Sequence, residues 1–447
     1  TRCSRDWSSD VCSSDLAAAI ASIAASFVSR LAWARTFPAT RADSESSLIM
    51  GVSLTNLRSD TLINMFLVRW FRRIFFALLA IYLLLFSFMR LVHYPEPISA
   101  IRLGLAPAHA TPKLMPAHYI PPSANPQEWK TGSEELPATV VFDGRLMTTD
   151  EFFESTSTNA FLVIRNGVIT YEWYKDGFTD KFQFPSYSVA KTLASIMIGQ
   201  LIAQGKVREN DKFVDFYPEF KNGTSFDDVT VNQLLDMRGG IGVSDNYPSG
   251  PSGWGVAIAQ MYATNDLHWF LGNNRKMAFA PGSKGEYRSV DSMMLGMIIK
   301  KVTGERVSDY FAREVWQPMG AAHGATWNVD RLDGQEKTFC CFNATARDYG
   351  LIGQLILNKG LSQGKEIIPA MWNQRLATSV VTLDRDWGYG AQVWHPYPDA
   401  TMLLGLHGQH VLIVPEMQTV MVKLSDDLNS ENEGPVTELL YYIAKRF

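Results

Sequence analysis

The sequence predicts an α+β fold, with one sheet built from both ends of the region after residue 136, flanked by helices and interrupted by an inserted, mostly helical region. Three observations predict it. Strand-like runs meet across Asn166-Gly167 early in that region. Helical periodicity dominates the middle, as in Ser188 to Gln204, Val231 to Met237 and Asp291 to Val302. Strand patterns return late, at Tyr389 to Trp394, Met402 to Leu406, Val411 to Val414 and Thr419 to Leu424. A sheet shared by the two ends lets both sets of strands bury one face under the helices between them.

Residues 6–16 (Asp6-Trp7-Ser8-Ser9-Asp10-Val11-Cys12-Ser13-Ser14-Asp15-Leu16) resemble the translation of a sequencing adapter. Residues 1–16 are therefore expected to be artefactual, with Met50 or Met65 as the start, and 17–64 stay unassigned. Arg69-Trp70-Phe71-Arg72-Arg73 then precedes an uninterrupted apolar run from Ile74 to Met89. The run is shorter than the ~20 residues of a usual span, but Leu91 and Val92 extend it and Arg90 can snorkel. We read 65–93 as a membrane anchor. The basic residues before it keep the N-terminus cytoplasmic, which puts a single-pass protein in the cell membrane with its catalytic part on the periplasmic or extracellular side.

Residues 94–135 carry Pro95, Pro97, Pro107, Pro112, Pro116, Pro121, Pro122 and Pro126 without a sustained apolar period, and read as a linker with extended segments. Beyond it, Ala160 to Arg165 and Gly167 to Glu172 flank Asn166-Gly167, the strongest short hairpin signal. Gly205 is a plausible stop for the helix starting near Ser188, and Val436 to Arg446 forms an amphipathic C-terminal helix. With Cys3 and Cys12 set aside, only Cys340 and Cys341 remain. Adjacent Cα atoms lie about 3.8 Å apart, below the roughly 4.4 Å at which disulfides begin, so the one pairing open to them is a strained vicinal disulfide, which is not the expected state.

A net charge of -4 with 19% charged and 46% hydrophobic residues excludes a basic nucleic-acid binder and a disordered chain. The chemistry centres on Ser188-Val189-Ala190-Lys191. Positions i and i+3 share a helix face, so Lys191 reaches the Ser188 hydroxyl. A serine hydroxyl needs such a base or cation to attack at neutral pH. Burial would lower the Lys191 pKa toward a usable base, and the helix N-terminus favours developing negative charge. The pattern alone is weak, because Ser362-Gln363-Gly364-Lys365 matches it in a Gly-rich turn with no apolar helix following.

The surroundings of Ser188 are more specific. Phe184-Pro185-Ser186-Tyr187-Ser188-Val189-Ala190-Lys191-Thr192 resembles the nucleophile segment of the serine β-lactamase and penicillin-binding protein superfamily. The likeness is to its class C-like branch, with esterases and 6-aminohexanoate-dimer hydrolases. It continues in order through Leu234-Leu235-Asp236-Met237-Arg238-Gly239, Pro281-Gly282, Tyr287-Arg288-Ser289, Trp387-Gly388-Tyr389-Gly390 and Gly405-Leu406-His407-Gly408-Gln409. The resemblance implies an α/β sandwich of β-lactamase type over 136–447. It implies Ser188 as nucleophile, with Lys191 and Tyr287 as the base system and Lys191 lowering the Tyr287 pKa. The backbone N–H groups of Ser188 and Gln409 would form the oxyanion hole, and Tyr247, Ser289, His407 and Gly408 would contact substrate.

Two departures shape the substrate expectation. Ser289 stands where the family usually has Asn, free to contact Lys191 or the substrate, and Leu406-His407-Gly408 replaces Lys-Thr-Gly. Losing that lysine removes a cation for a substrate carboxylate. This favours small esters or amides over β-lactams and D-Ala-D-Ala peptides, which stay as the alternative beside a non-catalytic wall-fragment sensor. Lys130-Thr131-Gly132 precedes the nucleophile and reads as coincidence. Trp254, Trp269 and Trp394 are candidates for an aromatic binding wall. His407 and His410 lack a carboxylate partner at ligand spacing, so neither a metal nor another cofactor is expected. The expected partners are a small substrate and the membrane, with no nucleic acid.

Overall fold

The computed structural model describes residues 54–246 and 257–446, with side chains from Phe66 onward. The chain divides into one unit of residues 1–82 and 248–252 and a second of 83–247 and 253–447. In the first, the described part is the start of helix α1 (Leu54–Leu91). Its stretch Phe66–Leu91 has a mean hydropathy of 2.3 and no burial, so by length and composition it is able to cross a membrane.

The second unit is built on a nine-stranded sheet. In chain order its strands are β1 (Lys130–Thr131), β2 (Thr158–Arg165), β3 (Val168–Tyr174), β4 (Val381–Thr382), β5 (Gly388–Gly390), β6 (Val393–Tyr397), β7 (Ala400–Gly405), β8 (Gln409–Val414) and β9 (Thr419–Ser425). Their spatial order is β4-β5-β6-β7-β8-β9-β2-β3-β1, antiparallel except for the β1–β3 edge pair. β9 lies against β2 with Val420 opposite Ile164, so strands from both ends do share one sheet. The β2–β3 turn is the expected hairpin, with Asn166 and Gly167 both at positive φ (51° and 75°). The late strands shift by a residue or two from expectation. The run Tyr389 to Trp394 is split between β5 and β6 by Ala391 and Gln392, both at positive φ.

Each face of the sheet carries its own core, as strand alternation requires. On β8, Val411 and Ile413 join the core under α2 (Ala190–Ala203), α3 (Ser289–Thr303) and α4 (Ala346–Leu357), while Leu412 and Val414 join the core under α5 (Glu433–Arg446). Gln392 fixes the helices to the sheet. Its backbone carbonyl accepts from Thr192 of α2 (2.8 Å), its side-chain oxygen from Ser292 of α3 (2.5 Å), and its amide donates to the Leu234 carbonyl (2.8 Å).

The Pro-rich stretch 94–135 is more than the expected linker. Ala117–Ile120 pairs with Ala325–Asn328 in a four-stranded sheet that also holds Phe342–Ala344 and Phe184–Pro185, and Lys130–Thr131 forms β1. Unpaired backbone under a body of this size would carry unsatisfied polar groups, and edge pairing satisfies them. The expectation about the cysteines also needs correction. Cys340 and Cys341 are joined in a disulfide across Cα atoms 3.7 Å apart.

Candidate active site

The nucleophile segment leaves the strand Phe184–Pro185, tightens into one 3-10 turn (Tyr187–Val189) and enters α2. Tyr187 takes a positive φ of 41°, a conformation that costs a bulky residue energy and needs surrounding structure to hold it. That support is present. Ser186 N–H donates to the Phe342 carbonyl (2.7 Å), and Phe342 N–H donates to Ser186 Oγ (3.1 Å). The Tyr349 hydroxyl bridges the carbonyls of Phe184 and Phe342. On the other flank, a Cβ added at Gly405 would fall 2.3 Å from the Ser186 carbonyl oxygen and 3.1 Å from Ser188 N. Glycine is what allows the end of β7 to press against the nucleophile turn.

Lys191 is the second residue of α2 and is only 1% exposed. Its Nζ donates to Ser188 Oγ at 2.8 Å and to the Phe339 carbonyl at 2.7 Å. Among the described residues it makes no ion pair. Burial pulls its pKa down to about 8, with the charge of Asp245 pulling weakly the other way. The second S-x-x-K match differs in kind. Ser362 Oγ is held by the Met319 carbonyl (2.9 Å) and Lys365 is exposed on a two-residue hairpin.

Tyr287 reaches the same spot, close enough for the Ser188 hydroxyl to act on its phenol. Its ring stacks on Trp394 (centroids 5.3 Å apart), meets Tyr389 edge-on, and has Lys191 Nζ 5.1 Å from its centroid. The expected lowering of its pKa by Lys191 is reversed. Burial, and then the Asp245 charge, push the phenol well above its ordinary value, and among the nearest influences only the Ser188 hydroxyl works against them. The Tyr287 phenol is therefore neutral at physiological pH, and Lys191 is the group beside it whose pKa lies nearer to neutrality.

Ser289, the first residue of α3, is 4% exposed and committed elsewhere than expected. Its N–H and hydroxyl both donate to the Asp245 carboxylate, at 2.7 and 2.5 Å. Burial raises the Asp245 pKa, opposed first by Lys191. Asp245 is thus a site residue that sequence reasoning missed. It lies far along the chain from Ser188 in no recognisable spacing, and its only signal was its place beside Tyr247. Phe339 was missed for a plainer reason, since it acts through its carbonyl and any residue type supplies one.

Leu406-His407-Gly408 forms the β7–β8 turn, with His407 and Gly408 at φ 65° and 78°. His407 Nδ1 lies 3.0 Å from the Asp427 carbonyl and its ring meets that of Tyr187 edge-on. Burial lowers its pKa, so the ring is neutral. The Gln409 side chain is spent on the turn, donating to the His407 and Ser425 carbonyls (3.0 and 2.7 Å). Only its backbone is left to face a substrate. Trp269 stacks on His93, while Trp394 stacks on Tyr287. Tyr247 and Trp254 lie outside the described residues. Asp236, in the segment before Gly239, is paired by both oxygens with Arg375 (2.7 Å each), a structural tie between the helical region and the helix Ala370–Leu376.

The chain is similar in sequence and in fold to known proteins. A family model described as Beta-lactamase matches residues 150–444. The 6-aminohexanoate-dimer hydrolase of Paenarthrobacter ureafaciens is 26% identical over 304 residues, 63% of this chain and 76% of that protein. A putative D-alanyl-D-alanine carboxypeptidase of Escherichia coli K12 is 26% identical over 131 residues, only 29% of its length. Among solved structures, a putative 6-aminohexanoate-dimer hydrolase from Bacillus anthracis superposes with a TM-score of 0.67 at 22% identity, over 78% of this chain and 94% of its own. A family VIII carboxylesterase superposes with a TM-score of 0.52 at 18% identity, over 66% and 95%.

Proposed function

Because the chain belongs to the beta-lactamase family, we propose that it is a serine hydrolase that cleaves small esters or amides through an acyl-enzyme formed on Ser188. The observation that carries the reading is the 2.8 Å contact between Ser188 Oγ and a buried Lys191 whose pKa falls to about 8. Neutral Lys191 takes the Ser188 proton as Oγ attacks the carbonyl carbon. The backbone N–H groups of Ser188 and Gln409, on two segments pressed together at Gly405, receive the oxyanion. Tyr287, a neutral phenol beside Lys191, gives its proton to the leaving group and is recharged through Lys191. Water then repeats the sequence on the acyl-enzyme with the proton transfers reversed.

The likeness to 6-aminohexanoate-dimer hydrolases and a carboxylesterase supports esters and small amides. The turn Leu406-His407-Gly408 argues against β-lactams and D-Ala-D-Ala peptides, because it offers a neutral imidazole where a carboxylate-bearing substrate would want a cation. A wall-fragment sensor would not need Lys191 desolvated beside Ser188. The span Phe66–Leu91, with Arg69, Arg72 and Arg73 near its start, supports a single-pass membrane protein with its catalytic unit on the outer side.

The test is labelling with a fluorophosphonate probe, beside Ser188→Ala and Ser362→Ala variants, with the adduct located by peptide mass spectrometry. Label on Ser188, lost only in its own variant, is the expected result. A folded protein that takes no label would replace the enzyme reading with the sensor.

A further inference from the structure

The disulfide between Cys340 and Cys341 sits between two residues that hold the catalytic pair. Immediately before it, the Phe339 carbonyl accepts from Lys191 Nζ at 2.7 Å. Immediately after it, Phe342 exchanges two hydrogen bonds with Ser186 in the nucleophile turn, at 2.7 and 3.1 Å. The pair itself is pinned from outside: Trp327 Nε1 donates to the Cys340 carbonyl (3.1 Å) and Asn328 N–H to the Cys341 carbonyl (2.8 Å). Cys341 has φ 73°, the left-handed region that an ordinary side chain leaves when released. Each cysteine is 4% exposed. A covalent tie at this point fixes the distance and direction between the lysine's carbonyl acceptor and the serine turn.

We propose that the Cys340–Cys341 disulfide is a positioning element for Ser188 and Lys191, and that its reduction by a dithiol slows acylation of Ser188. This rests on the hydrolase reading above. In the step, the S–S bond breaks as two electrons and two protons arrive from the dithiol, which closes to its own disulfide. The freed Cys341 relaxes from positive φ, the Phe339 carbonyl moves off Lys191, and the lysine loses the contact that orients it toward Ser188. A catalytic domain outside the cytoplasm keeps the bond closed.

The experiment follows fluorophosphonate labelling of the full-length protein against pH, before and after dithiothreitol, with free thiols counted by alkylation and mass spectrometry. Two variants accompany it. Cys340→Ser/Cys341→Ser removes the tie, whereas Cys340→Ala/Cys341→Gly removes it but tolerates positive φ. The reduced protein and the serine pair should label about tenfold more slowly or worse, as displacement of a catalytic group does, with a displaced pH midpoint. Reoxidation and the glycine variant should restore most of the rate. Native rate and midpoint in protein shown to carry both Cys340 and Cys341 as free thiols would overturn the proposal, whether or not the serine pair folds. A slowed rate with an unmoved midpoint would also overturn it, reducing the bond to general stability. Oxidised, folded protein that never labels at Ser188 would instead sink the hydrolase reading and this inference with it.

Discussion

At the residue scale, the site turns on how a buried amine is charged. The folded pKa of Lys191 is about 8 and the unfolded value near 10.5, so the fold favours the neutral amine. If the neutral form is the base, the labelling rate should rise with pH and level off above a midpoint near 8. Asp245→Asn removes the charge that holds the Lys191 pKa up, and should move that midpoint lower. A midpoint unmoved or moved upward would remove Asp245 from the electrostatics of the site. Tyr287→Phe leaves the stacked ring in place and removes only the hydroxyl. It should slow turnover by about 10²–10⁴ with little change in thermal stability. Lys191→Met should abolish labelling yet stabilise the protein at pH 7 by on the order of 1–3 kcal/mol, since a shift of this size carries that penalty for the buried charge. Denaturant titration checks the sign.

At the element scale, the clearest device is the contact of β7 with the nucleophile turn. Gly405→Ala places a methyl against the Ser186 carbonyl oxygen and should destabilise by about 1–3 kcal/mol. It should lower the labelling rate more than stability loss alone explains. The elements show what the sequence made legible. The Asn166-Gly167 hairpin, α2, α3, α5 and the late strands announce themselves through period and turn chemistry, because their order is local. Ser188 and Lys191 were legible for the same reason, lying one turn apart on one helix. Asp245 and the Phe339 carbonyl were not, because they arrive by tertiary folding from segments with no spacing relation to Ser188. The raised Tyr287 pKa was not legible because a position in the sequence carries no information about how dry its surroundings are. The residues after 94 were underestimated because prolines mark extended backbone without saying whether another strand pairs with it.

At the scale of the whole molecule, the long apolar helix and the catalytic body invite separation. Removing residues 1–91 should move the labelled protein from the membrane to the soluble fraction without changing the labelling rate per folded molecule. A truncated protein that still sediments with membranes would assign the attachment to the catalytic body. The sheet has another consequence. Arg165 of β2 hydrogen-bonds to Thr419 of β9, 254 positions away, and the β7–β8 turn that abuts Ser188 lies almost as late in the chain. A nascent chain can carry Ser188, Lys191 and Tyr287 and still have no central strands for them to settle on. High contact order of this kind makes folding slow and late, so the reactive serine should stay dormant through synthesis and arm itself only after the last strands are delivered.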